Sequence, residues 1–199
     1  MVGYANSLSG LIVVLMAPIL GAYSDIGTKR KKFLFFFASL GILSTASFYF
    51  IPQGQWLIAG FLYAIAAVGF SGGNIFYDSL IVSVSNDENR NRVSALGYSL
   101  GYLGGGLLFV LNVLMFLNPQ WFGIESESQA ILLSFLTVAI WWSLFSIPIF
   151  RNVSESASTT NQLNFFETLV KSFNEVYQTL KEIRKYKNVA IFLLAYWFY

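Results

Sequence analysis

Of the ten acidic residues in the chain, Asp78 alone lies inside an apolar stretch, in "GFSGGNIFYDSLIVSVS". An ionisable side chain within a membrane helix is costly and normally faces a water-filled cavity or a partner. One reading makes Asp78 a protonatable or substrate-contacting group, with Asn74 and Tyr77 on neighbouring faces of the same helix. The other makes it a structural acid near the interface, paired with Arg90 or Arg92 or reached by water. With the helix ending near Val84, Asp78 would lie about 9 Å from that end at 1.5 Å per residue. A second acid, Asp25, sits in the gap of "MAPILGAYSDIGTKRKKFLFFF", four residues after Gly21 and just before Lys29, Arg30, Lys31 and Lys32.

Other chemistry is excluded by what the chain lacks. There is no Cys and no His, which removes disulfides, thiolate or imidazole metal sites and His-based catalysis. Proton chemistry falls to carboxylates, Tyr or Lys. No acid pair, metal-ligand cluster or nucleophile–base set sits at membrane depth. The expectation is therefore neither an enzyme nor a holder of metal or cofactor. No basic patch interleaved with aromatics points to nucleic acid.

The elements that position these residues follow from hydropathy. The chain is 56% hydrophobic and 11% charged over 199 residues, against about 25% charged in soluble domains. The mean hydropathy is +0.61. Such a chain cannot cover itself with polar surface, so the class is an integral, multi-pass membrane protein. A spanning helix needs about 20 mostly apolar residues, and five segments qualify: 3–23, 33–51, 56–84, 93–117 and 129–149. The third is long enough to include a non-spanning end. Pro18 could kink the first. The start, "MVGYANSLSG", has no positive n-region and does not read as a signal peptide.

All twelve Lys and Arg fall in alternate connections, namely 24–32, 85–92 and 150–187. The positive-inside rule places these gaps in the cytoplasm and residue 1 on the other side. The last of them changes character midway. "RNVSESASTTNQ" is a polar connection; after it, 164–187 repeats apolar residues at helical spacing, with Asn164 and Glu167 placed as a capping box. This amphipathic helix belongs on the cytoplasmic interface, as a tether between bundles or as a lipid- or partner-binding element. From Asn188 to Tyr199 a helix would rise about 18 Å, short of the ~30 Å hydrocarbon core. We therefore expect a bundle over 1–150, a linker over 151–187, and a truncated start of a second bundle at 188–199; the resemblance set out below implies that the first bundle lacks its first helix.

Small residues form a further pattern in "VSALGYSLGYLGGGLLFVLN". Gly97, Gly101, Gly104 and Gly105 share a helical stripe that Gly106 extends. In lipid such a stripe lets backbones approach closely. Five glycines also weaken a helix, so either close packing compensates or the helix bends and lines a cavity. Tyr98, Tyr102 and Asn112 supply polar edges along it.

The sequence "GAYSDIGTKRKK" resembles the loop between the second and third helices of the major facilitator superfamily. Gly21, Asp25, Lys29 and Arg30 match its pattern, with Gly27 displaced by one from the expected position, Thr28. "NRVSALGYSLGYLGGGLL", "FYDSL" and "FLLAYWFY" together resemble the Atg22-like, or UMF1, branch. The resemblance implies an all-α, polytopic helical bundle, incomplete here, covering helices two to six and the start of seven of a twelve-helix secondary transporter. It implies alternating access with a small-molecule solute as partner, and amino-acid efflux in the eukaryotic members. It implies a vacuolar membrane in eukaryotes and a cell membrane in bacteria. By the same resemblance Asp25, Lys29 and Arg30 latch a cytoplasmic gate, with Arg90 and Arg92 as partners, while Asn74, Tyr77, Asp78 and Tyr102 lie near the pathway. Two departures stand out. Tyr102 occupies the Pro position of the superfamily's antiporter pattern, and residues 56–77 lack the helix-four Arg of many proton-coupled members, which argues against proton antiport. A non-transporting scaffold or receptor of the same fold is the alternative.

Overall fold

A computed structural model describes residues 2–26, 30–155, 165–183, 186, 188–189, 191–192 and 195. Among these the chain is helical, in the order α1 (Val2–Ile26), α2 (Arg30–Ser47), α3 (Trp56–Ser79), α4 (Ile81–Val84), α5 (Arg90–Leu117), α6 (Glu127–Asn152) and α7 (Phe165–Ile183), with short 3-10 turns at Phe48–Phe50 and Pro119–Phe122. Five helical stretches are long and apolar enough to cross a membrane. They coincide with the five expected from hydropathy, extended at their polar ends. The all-α, multi-pass bundle is what the composition demands, since in lipid a spanning segment must satisfy its own backbone. Asn164, the expected cap of α7, lies outside the described residues, as does most of 188–199.

The third span, Trp56–Val84, is divided near its end, in keeping with a stretch long enough to include a non-spanning part. Its helix breaks at Leu80, and only the short α4 follows. Ser79 Oγ donates to Phe76 O at 2.8 Å, a side-chain bond that competes with the helical ladder where it ends. Asp78 therefore sits one residue from the end of α3. Pro18, by contrast, lies within an unbroken α1.

Neighbouring helices follow the order α1–α3–α2–α6–α5, with α7 against α1. The α2–α3 seam is close because it is made of glycine. A Cβ added at Gly69 would lie 2.5 Å from Gly41 N and 2.8 Å from its Cα, and one at Gly72 would lie 2.5 Å from the Phe37 ring. On its other side Gly41 meets the Trp142 ring of α6. Next to the seam lies an aromatic core. Phe76, with no exposed surface, stacks on Phe33 at 5.2 Å and on Phe37 at 5.9 Å, and Tyr23 meets Phe33 edge-on at 4.8 Å. Such pairs add to the apolar burial itself.

The α5–α6 pair is held differently. Thr137 Oγ1 donates to Asn112 Oδ1 at 2.8 Å between the helices. Their connection turns at Gly123, whose φ of 68° favours glycine, and it buries Ile124 with Met115 and Ala130. At the start of α6, Ser126 Oγ accepts from Gln129 N–H as an N-cap.

The seam yields a stability prediction. Gly69→Ala drives a methyl into fixed backbone and is expected to destabilise the bundle by about 1–3 kcal/mol, read as a lower thermal midpoint of the detergent-solubilised protein. Gly101→Ala, with nothing within 4 Å of the new methyl, is expected to be neutral or mildly stabilising.

Candidate functional site

The strongest polar constellation lies where α2 begins. A helix ends with carbonyls that have no intrahelical partner and with the negative pole of its dipole. Three such ends converge on two cations. Arg30 Nε donates to Ser24 O in the last turns of α1 at 2.8 Å, and its Nη1 donates to Ser79 O at the end of α3 at 3.2 Å. Lys31 Nζ donates to Phe150 O and Val153 O at the end of α6, at 2.8 and 2.7 Å. The Lys31 backbone N–H, at the positive pole of α2, donates to the Glu155 carboxylate. Cations thus meet helix C-termini while an acid meets a helix N-terminus, each in the sense the dipole favours. The result is a clasp tying α1, α2, α3 and α6 together at the basic end of the bundle.

Among the described residues, Arg30 is the gate residue expected from sequence that the structure places in this clasp. Gly21 lies on α1 with nothing within 4 Å of an added Cβ. Asp25 falls in the last turn of α1, but its side chain lies outside the described residues, as does all of Lys29. Arg90 pairs with Asp87 in its own turn at 2.7 Å, beside a turn closed by Asn86 and Asn89, each accepting the other's backbone N–H. Arg92 is exposed on the first turn of α5. Among the described residues neither of these two arginines contacts Arg30 or Lys31. Lys31 and Glu155 were missed by the sequence reading. A signal for them existed, since Glu155 is the lone acid of the polar connection after α6 and a basic run faces it.

The second constellation lies on α3. Asn74, Tyr77 and Asp78, spaced as on one helical face, are all exposed. Asp78 makes no ion pair among the described residues. Tyr77 Oη lies 3.9 Å from a Cβ built at Gly97, so α3 and α5 approach each other here. Tyr102 is 81% exposed and sits about 140° around α5 from Gly97; it belongs to a different face. A Cβ built at Gly104 would lie 3.8 Å from the Trp141 ring of α6, while one built at Gly101, Gly105 or Gly106 would have nothing within 4 Å. Among the described residues the tightest glycine contacts are those of Gly41 on α2 and of Gly69 and Gly72 in "GFSGGN" (69–74), a similar small-residue run one helix earlier than that of α5. Much of the stripe on α5 is open surface.

The family model described as "Vacuole effluxer Atg22 like" matches residues 1–84 and 82–199. The chain belongs to the Atg22-like family. It is 39% identical over 198 residues to the uncharacterized MFS-type transporter YxiO of Bacillus subtilis, covering 99% of this chain and 46% of that protein. It is 22% identical over 270 residues to autophagy-related protein 22 of Yarrowia lipolytica, covering 98% and 45%. Against autophagy-related protein 22 of Saccharomyces cerevisiae strain YJM789 the identity is 27% over 236 residues, covering 98% and 43%. The chain spans just under half the length of these relatives. No solved structure matches.

The clasp predicts an asymmetry between adjacent lysines. Lys31→Met removes two charge-assisted bonds to carbonyls and is expected to cost about 2 kcal/mol, seen as a lower thermal midpoint. Lys32→Met, which removes no such bond, is expected to shift the midpoint by well under half as much.

Proposed function

We propose that the chain contributes one helical bundle of a secondary transporter that moves a small solute by alternating access. The observation that carries this reading is the clasp of Arg30 and Lys31. In alternating access one bundle rocks against another largely as a rigid body, around a site near the membrane midplane. A rigid body of that kind needs its helix ends tied at the gate, and the clasp joins four of them. In this reading residues 1–150 form the moving bundle, 151–187 link it onward, and Gly21, Asp25, Lys29, Arg30, Arg90 and Arg92 belong to the cytoplasmic gate. Asn74, Tyr77 and Asp78 face the pathway from α3, and Tyr102 lines it from another face of α5, on the side of the open Gly105 and Gly106. The exposure of Asp78 and its lack of an ion pair support that placement, because a carboxylate on open lipid-facing surface is costly whereas one facing water is not. The open glycine face of α5 gives a moving partner room to approach.

Efflux is the direction to test first, since the family description speaks of an effluxer, and the Atg22-like resemblance makes amino acids the first solutes to test. The rival reading is a non-transporting scaffold, favoured by one observation, the exposed row of Val170, Phe173 and Tyr177 on α7.

Flux in proteoliposomes separates the two. The expected result is saturable amino-acid movement, with Asp78→Asn lowering the initial rate at least about tenfold, roughly 1.4 kcal/mol of barrier, at unchanged insertion and thermal midpoint. A full rate in Asp78→Asn would make this residue a structural acid. Folded protein with no saturable flux of any small solute would leave the scaffold reading.

A further inference from the structure

A feature of the basic end adjoins the clasp and lies outside the pathway. Between α2 and α6 an open cavity of about 550 Å³ is lined by Lys31, Lys32, Phe35, Ile147, Phe150 and Arg151. Its charges and its apolar wall are sorted by depth. Lys32 and Arg151 stand at the end of the bundle where the two helices meet the basic connections, and both are exposed. Phe35 follows Lys32 by three residues along α2, about 4.5 Å deeper, and Ile147 precedes Arg151 by four along α6. Phe35 and Phe150 meet edge-on at 5.5 Å across the groove, and Phe35 is 61% exposed. It shares the outer surface of α2 with the equally open Phe36 and Leu43.

Among the described residues neither Lys32 nor Arg151 forms an ion pair or a side-chain hydrogen bond, whereas Lys31 is occupied by Phe150 O and Val153 O. Glu155, an acid at this end, is held by the Lys31 backbone N–H. The groove thus offers two unneutralised cations at the membrane interface and an aromatic and aliphatic channel directly beneath them. A solute anion would satisfy the cations and leave the channel empty. A zwitterionic lipid would fill the channel but bring its own cation towards Lys32 and Arg151. A phospholipid with net negative charge complements both parts, and basic pockets between membrane helices on the cytoplasmic side hold such headgroups.

We propose that the α2–α6 groove is a binding site for one anionic phospholipid, its phosphate between Lys32 and Arg151 and an acyl chain along Phe35 and Ile147. The site is independent of transport, since it uses neither Asp78 nor the open face of α5. Its ligand also touches the element that carries the clasp: a lipid held by Lys32 and Arg151 bridges α2 and α6 one residue away from the Lys31 bonds that join the same two helices.

The test is retention of lipid on the purified protein, by native mass spectrometry, with dioleoyl phosphatidylglycerol and dioleoyl phosphatidylcholine as probes of identical chains. The expected result is one phosphatidylglycerol retained at least about tenfold more tightly than phosphatidylcholine, a preference that Lys32→Gln combined with Arg151→Gln abolishes. Each single variant is expected to lose part of it, which keeps the test readable if the double variant folds poorly. Arg92→Gln, which removes an exposed charge on α5, is expected to keep the preference in full. Equal retention of the two lipids would overturn the proposal. So would an undiminished preference in both single variants, or an equal loss in Arg92→Gln, which would mean a diffuse charge effect. Displacement of phosphatidylglycerol by millimolar inorganic phosphate would also overturn it, assigning the cations to a free anion.

Discussion

Helix ends in a membrane protein carry carbonyls that neither the helix nor the lipid can satisfy, and this chain answers that constraint with two adjacent side chains. Arg30 and Lys31 reach the ends of α1, α3 and α6 from the first turn of α2. The rest of the basic end is arranged around them. The aromatic core of Tyr23, Phe33, Phe37 and Phe76 lies beside the clasp, joining the same α1, α2 and α3. The break at Leu80 frees Ser79 O for Arg30. Without that break the third span would run on and its carbonyl would stay within the ladder.

Packing and charge divide the work by depth. In the interior the α2–α3 seam depends on the absence of side chains, since the Gly69 Cα faces the Gly41 backbone at a distance no Cβ could share. Small residues are the means by which helices associate in lipid, where no hydrophobic force favours helix over lipid chain. At the interface, where charges are solvated, the cations take over. Each mechanism would fail in the other's place, because a Lys at Gly69 would be buried without water and a glycine at Lys31 would leave carbonyls unpaired.

The two glycine-rich stretches show how one pattern acquires two meanings. Gly69, Gly72 and Gly73 are buried, and the first two stand against α2. Gly101, Gly105 and Gly106 share the spacing yet stand open. Spacing alone states that a helix face is smooth. It does not state what lies against that face, because the answer depends on which helix is brought beside it.

Hydropathy by itself determined the five spans, their order and the basic character of one end, because lipid imposes length and apolarity on any segment that crosses it, whatever its neighbours. The family was also legible, in the Asp25–Arg30 gap and the glycine-rich fifth helix. Site residues were legible as types and less so as partners. Arg30 was recognisable, but Lys31 was indistinguishable from the other members of its basic run, and Glu155 lies 124 residues away from it in the chain. Arg90 pairs with Asp87 three residues before it, a partner the sequence reading did not name. Only the tertiary structure decided these matters, and the reason is physical. A side-chain bond depends on an atom being within about 3 Å, and long-range proximity is set by how helices pack, which no local spacing encodes.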